Sequence, residues 1–165
     1  MKCFALFGVL AVLVVTGTAA ARSGGPNDGT LTVRNADGRV VITGGFKGAV
    51  IGRFDKGQVT IKDPNPNDGV GPIVTGADVT QSLSENTTRY SGSKVRFRTI
   101  GGSFTITVFG TDINLSAIGR GLIQLNGSLG ARGTVDDGTY AVNGGAPQPF
   151  PPFPFRFPLD AQAGG

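Results

Sequence analysis

Two stretches of this chain carry one pattern of apolar and polar positions. From Lys94 to Gly127, Val95 and Phe97, then Phe104, Ile106 and Val108, then Ile113 and Leu115, then Ile123 and Leu125 alternate with polar or small neighbours. That period of two is the mark of a strand with one buried face. Sliding the chain by 64 positions without a gap lays Thr30 to Asp63 on the same stretch: Arg34 meets Arg98, Gly38 meets Gly102, Ile42 meets Ile106, Thr43 meets Thr107 and Gly57 meets Gly121. Leu31, Val40, Ile51, Val59 and Ile61 fall on apolar residues as well. The chain thus contains an internal duplication, 30–63 and 94–127.

Turn chemistry punctuates each copy. Asn35-Ala36-Asp37-Gly38, Gly44-Gly45 and Asp55-Lys56-Gly57 break the first; Gly101-Gly102, Gly110-Thr111 and Gly119-Arg120-Gly121 break the second. A strand uses about 5 to 6 residues, so breaks nine or ten residues apart leave only short connections, and short connections join antiparallel neighbours. The spacing predicts two tandem four-stranded antiparallel meanders, each apolar on one face. Two such sheets can cover each other, which predicts an all-β domain, an antiparallel β-sandwich or flattened barrel. The alternative is a β-solenoid, whose coils also repeat glycine and β-branched residues.

Outside the copies the pattern weakens. Residues 22–29 read as a flexible leader. Between the copies, Asp63-Pro64-Asn65-Pro66-Asn67-Asp68-Gly69 is a loop, Ile73 to Ser84 has room for one short strand, and Glu85 to Ser93 is polar. A strand is expected at Thr139 to Asn143. In the proline-rich tail, Phe153, Phe155, Phe157 and Leu159 occupy alternate positions with Pro154, Arg156 and Pro158 between them. Prolines suit an edge strand whose missing N–H would face solvent, so the phenylalanines are expected to close one end of a core that spans 30–160. Residues 161–165 read as a disordered end.

The first residues change the picture from fold to location. Lys2, the apolar run Phe4 to Val15 and the small residues Ala19-Ala20-Ala21 have the layout of a secretory signal, so 1–21 is expected to be removed. The run is too short to span a bilayer, which needs about 20 residues, and no transmembrane span is expected in the mature chain. The expected location is secreted or at the cell surface. Cys3 is the one cysteine and leaves with the signal, and histidine is absent. Disulfides, thiolate metal sites and the usual general base are therefore excluded, and no cofactor or metal is expected.

Charge and candidate chemistry add less. Of 15 basic residues Lys2 leaves with the signal, so 14 face 11 acidic ones, too mild an excess to argue for nucleic acid. Lys94, Arg96 and Arg98 alternate with Val95 and Phe97, so the three cations share an outer stripe, and Arg34 is expected to extend it on the other sheet. Such a stripe suits an anionic polysaccharide or envelope polymer. The aromatic platforms expected for single-stranded nucleic acid are missing from it. Asp63 to Gly69 begins like a calcium loop, but its glycine comes late and Val74 stands where the bidentate glutamate belongs, leaving a turn. The Gly-x-Gly of Gly119 and Gly121 has no following helix and does not make a phosphate cradle. Asp55, Asp112, Asp136, Asp137, Tyr90 and Tyr140 are the available acids and bases, and the aspartates sit in turn-like sequence. The sequence points to an exported, non-catalytic β domain, structural or adhesive at the cell envelope. Acidic-glycan binding is a second reading, and a glycan-active enzyme using aspartates a third.

Overall fold

The computed structural model describes residues 25–163, and the expected signal segment 1–21 lies outside them. The two copies become two very long strands, β1 (Gly29–Lys62) and β4 (Thr87–Gly127). Shorter strands follow in β2 (Ile73–Thr75), β3 (Val79–Ser84), β5 (Thr139–Val142), β6 (Gln148–Pro149) and β7 (Phe155–Leu159), with one 3₁₀ turn at Val135–Asp137. The domain is all-β, antiparallel and sandwich-like, and its sheet edges stay open.

The copies do not form separate meanders: neither pairs with itself. Residues 38–62 of β1 pair on both edges with β4, so that Val40 faces Val108 on one side and Leu125 on the other, and Val59 faces Tyr90 and Val108. The breaks expected to reverse the chain instead carry it around a corner. At Gly57 the backbone sits at φ 148°, and a Cβ there would lie 2.1 Å from the Phe109 carbonyl oxygen. Its cross-strand neighbour is Gly110. With no side chain on either residue, two strands turn the same corner in direct contact.

Following the register around these corners gives two layers. One runs β6, β5, then 29–37, 111–119, 48–56 and 93–101, and ends at β2; the other runs β7, then 120–127, 38–47, 102–110, 57–62 and 87–92, and ends at β3. Each copy therefore crosses between layers every nine or ten residues, and each layer contains both copies. The corners stack into two glycine seams. Gly127, Gly38, Gly110, Gly57 and Gly92 are successive partners along one, and Gly29, Gly119 and Gly48 along the other.

Alternation then places the core. Leu31, Val33, Val50, Phe54, Val95, Phe97, Ile113 and Leu115 point inward from the first layer, and Val40, Ile42, Val59, Ile61, Phe104, Ile106, Val108, Ile123 and Leu125 from the second. All belong to one buried cluster. Burying a side chain of this size is worth about 1.5–3 kcal/mol, so apolar packing is the main adhesive between the layers.

The tail completes it. β7 pairs with 121–125 as an edge strand, Leu159 and Phe150 are buried and Phe157 packs on the core. Phe155 is 43% exposed and Phe153, expected inside, is 78% exposed. Phe153 precedes the strand, so no ladder turns its ring inward.

At the ends of the described residues, Gly25 donates its N–H to Asp28, the Asp28 carboxylate pairs with Arg120 at 3.2 Å, and Ala161 donates to the Asn27 carbonyl. The Asn143 amide meanwhile donates to the Asp160 carbonyl at 2.9 Å.

Candidate functional site

The outer face of the first layer collects arginines from three segments of β1 and β4. Arg53 on β1 is the cross-strand partner of both Asn114 and Arg96, and Arg96 is in turn the partner of Thr75 on β2. In the next row Ile51 partners Ser116 and Arg98, and Arg98 partners Ile73. Arg34 lies beside Asn114 on the far strand. Since Gly52, Phe54, Phe97 and Leu115 point into the core, alternation leaves Arg34, Arg53, Arg96 and Arg98 no direction but outward, and all four are exposed. Together they line a shallow cleft of about 370 Å³ whose other lining residues include Thr32, Ile51, Ile73, Thr75, Asn114 and Ser116.

Strand spacing sets the scale of this surface. Neighbouring strands lie roughly 5 Å apart, so Arg53 and Arg96 stand about that far from each other, Arg34 about 10 Å from Arg53, and Arg98 about 7 Å along the strand from Arg96. No carboxylate lines the cleft. Among the described residues the ion pair is Arg120 with Asp28, outside this face. Like charges directly across a ladder destabilise a sheet, so Arg53 facing Arg96 costs the fold something and gains it no pair.

Three of the four cations expected from the sequence meet here, and the details differ in two ways. Arg34 is in the same layer as Arg96 and Arg98, not on the other sheet, because 29–37 and 93–101 are equivalent segments and both fall in the first layer. Lys94 has left the stripe. Its backbone is at φ 59°, and it lines an adjoining cavity of about 200 Å³ with Arg53, Asp55, Arg96 and Asp112. Arg53 was not foreseen: it stands between Gly52 and Phe54, where a single apolar neighbour gives no alternation to read, and far in sequence from the stripe it joins.

The other candidates are occupied with local structure. Asp63 accepts the Asn65 N–H at 2.9 Å and Asp68 accepts that of Val70 at 2.8 Å, so the calcium-like segment is a pair of Asx turns. Asp137 accepts the N–H groups of Thr134 and Arg132, and these bonds hold its carboxyl below the usual aspartate range. Asp112 accepts the Asn114 side-chain amide at 3.0 Å while its own N–H donates to Asp37. Gly119 belongs to a corner seam. Tyr140 packs against Phe155 and Phe157 at the open edge between β5 and β7, where burial pushes its phenol pKa up.

No protein-family model matches the chain, and no curated protein or solved structure matches it either.

Proposed function

We propose that this chain is an exported, non-catalytic adhesion module that holds an acidic polymer, an anionic polysaccharide or envelope polymer, on the arginine face of its first layer. The observation that carries this reading is the row Arg34, Asn114, Arg53 and Arg96 with Arg98 beside it, cations that line a cleft without a carboxylate and make no ion pair among the described residues. Arginine presents a planar fork of donors that fits carboxylate and sulfate oxygens, and the exposed Ile51 and Ile73 stand among the four side chains. Strands fix the backbones of the four residues, so little order is lost when a repeating anion lies across them. Such binding weakens as salt screens it.

The test is retention of the processed protein on a sulfated or uronate polysaccharide resin. Changing Arg53, Arg96 and Arg98 to Gln should lower affinity about tenfold or more and move elution to lower salt. Unchanged elution by a variant with an unaltered circular dichroism spectrum would sink the reading.

A second reading, glycan cleavage by aspartates, has one observation in its favour: Asp55 and Asp112 line the same small cavity beside Lys94. Paired carboxyls across a cleft are what glycoside hydrolysis needs. Product analysis after incubation with acidic and neutral polysaccharides decides it, with Asp55→Asn as the control that must abolish any cleavage seen.

A further inference from the structure

The opposite face of the molecule carries a second cleft of different chemistry, on the outer side of the second layer. It measures about 920 Å³ and crosses the sheet from Arg89 on β4 to Asn126 at the end of the same strand. Five strand segments lie under it, 87–92, 57–62, 102–110, 38–47 and 120–127, a span of roughly 20 Å at the usual strand spacing. Its lining adds surface aromatic rings to the amides and cations that the arginine face also has. Two aromatic rings stand at the surface, Phe109 at 54% exposure and Phe153 at 78%. Amide side chains from Gln58 and Asn126 supply donors and acceptors between them. Two cations, Arg39 and Arg89, have no carboxylate in the lining.

Arg89 supplies the decisive detail. Its Nε is buried and has no hydrogen-bond partner, alone among the side-chain atoms of the described residues. Buried donors are almost always satisfied, so an orphaned one beside a cleft points to an acceptor that arrives with a ligand. That Nε is closed off in the free chain, so an arriving carboxylate or sulfate engages it only as the Arg89 side chain turns toward the cleft, where the guanidinium edge offers two parallel bonds.

We propose that this cleft binds a short anionic oligosaccharide, with Arg89 and Arg39 on its acidic groups, Gln58 and Asn126 on its hydroxyls, and Phe109 and Phe153 under its ring faces. The central strands here have both backbone edges paired, which leaves side chains alone to contact a ligand and gives an extended peptide no edge to join. A ligand with both hydroxyls and apolar ring faces suits such a surface, whose lining mixes Gln58, Thr60 and Asn126 with Phe109, Leu129 and Phe153. The assignment stands apart from the arginine face and does not depend on it.

The experiment is calorimetric titration of the full chain with tetragalacturonate, followed by mapping of backbone amide shifts. Binding should perturb Gln58, Phe109 and Asn126. Phe109→Ala, Phe153→Ala and Arg89→Gln should each weaken it about five- to tenfold, and a neutral galactose oligomer of the same length should bind more weakly. Phe109 and Phe153 are exposed, so these variants keep the core, and Arg89→Gln provides an independent check. Shifts confined to Ile51, Arg96 and Arg98, no binding at all, or binding to phosphatidylglycerol vesicles in place of the sugar would each overturn the proposal.

Discussion

Gly57 and Gly110 meet where two strands round one corner, and Gly48 and Gly119 do the same on the opposite seam. A methyl group on Gly57 would strike the Phe109 carbonyl and the Gly110 Cα, which are backbone atoms and cannot swing aside. The positive φ adds a second penalty for any residue with a Cβ. Gly57→Ala is therefore expected to cost about 3 kcal/mol, at the upper end of single-residue effects. Gly71→Ala, in a loop where a Cβ meets nothing within 4 Å, should change stability by less than about 0.5 kcal/mol. Urea midpoints of the two variants check this, and equal midpoints would mean that the corners tolerate side chains. The glycine spacing was plain in the sequence, but its meaning was not. Asp-Gly and Gly-Gly fit a hairpin and a strand corner equally well, because both ask only for a backbone that leaves the ordinary β region. What separates them is the partner strand, and a partner as distant in sequence as Gly110 is from Gly57 does not announce itself.

Among elements, those whose one face is buried were legible and those without a buried face were not. β5 and β7 follow from alternation at Thr139–Val142 and Phe155–Leu159. Residues 73–84, expected to hold one short strand, hold two, β2 and β3. β3 is exposed at every residue, so Val79 and Leu83 mark no buried face, and 87–92 offers only Thr88 and Tyr90 toward the interior, so the polar stretch from Glu85 reads as loop. The arginine face was half visible for the same reason: Arg96 and Arg98 flank Phe97, whereas Arg53 has glycine on one side. The 3₁₀ turn Val135–Asp137 shows how an element without apolar contacts is held. Its Asp137 carboxylate receives N–H groups from Thr134 and Arg132, and these lower its pKa. A depressed folded-state pKa stabilises the fold above the unfolded value of about 3.9, and that contribution fades as pH falls through the lower folded value. Asp137→Asn should therefore lower the urea midpoint near neutrality and lower it less in acid below the folded-state pKa. A midpoint difference that stays constant across that range would show that the charge of Asp137 has no part in holding the turn.

At the scale of the molecule, interleaving replaces the simpler picture of one sheet per copy. Exchanging 29–62 with 93–126 maps the central pairings approximately onto themselves, and it brings β5 onto β2 and β7 onto 87–92. The approximate two-fold symmetry expected from the duplication is therefore present, but its axis runs through both layers and not between them. This arrangement has a consequence that two facing meanders would lack. Each copy leaves its own strands without neighbours, because the edges of 38–62 are filled by the other copy and by 87–93, which leads into it. Neither copy can bury its apolar face or pair its backbone alone, and unpaired strand edges in water are prone to association. Cutting the chain in the exposed loop 64–71 should yield two fragments, 22–69 and 70–165, that show no folded monomer separately. Mixing them should restore the β-type circular dichroism spectrum and a dispersed amide spectrum, with a midpoint that rises with concentration because chain closure has become association. A folded monomer from either fragment, detected by sedimentation and amide dispersion, would mean that a copy can satisfy its own edges, and the interleaved register would then be wrong.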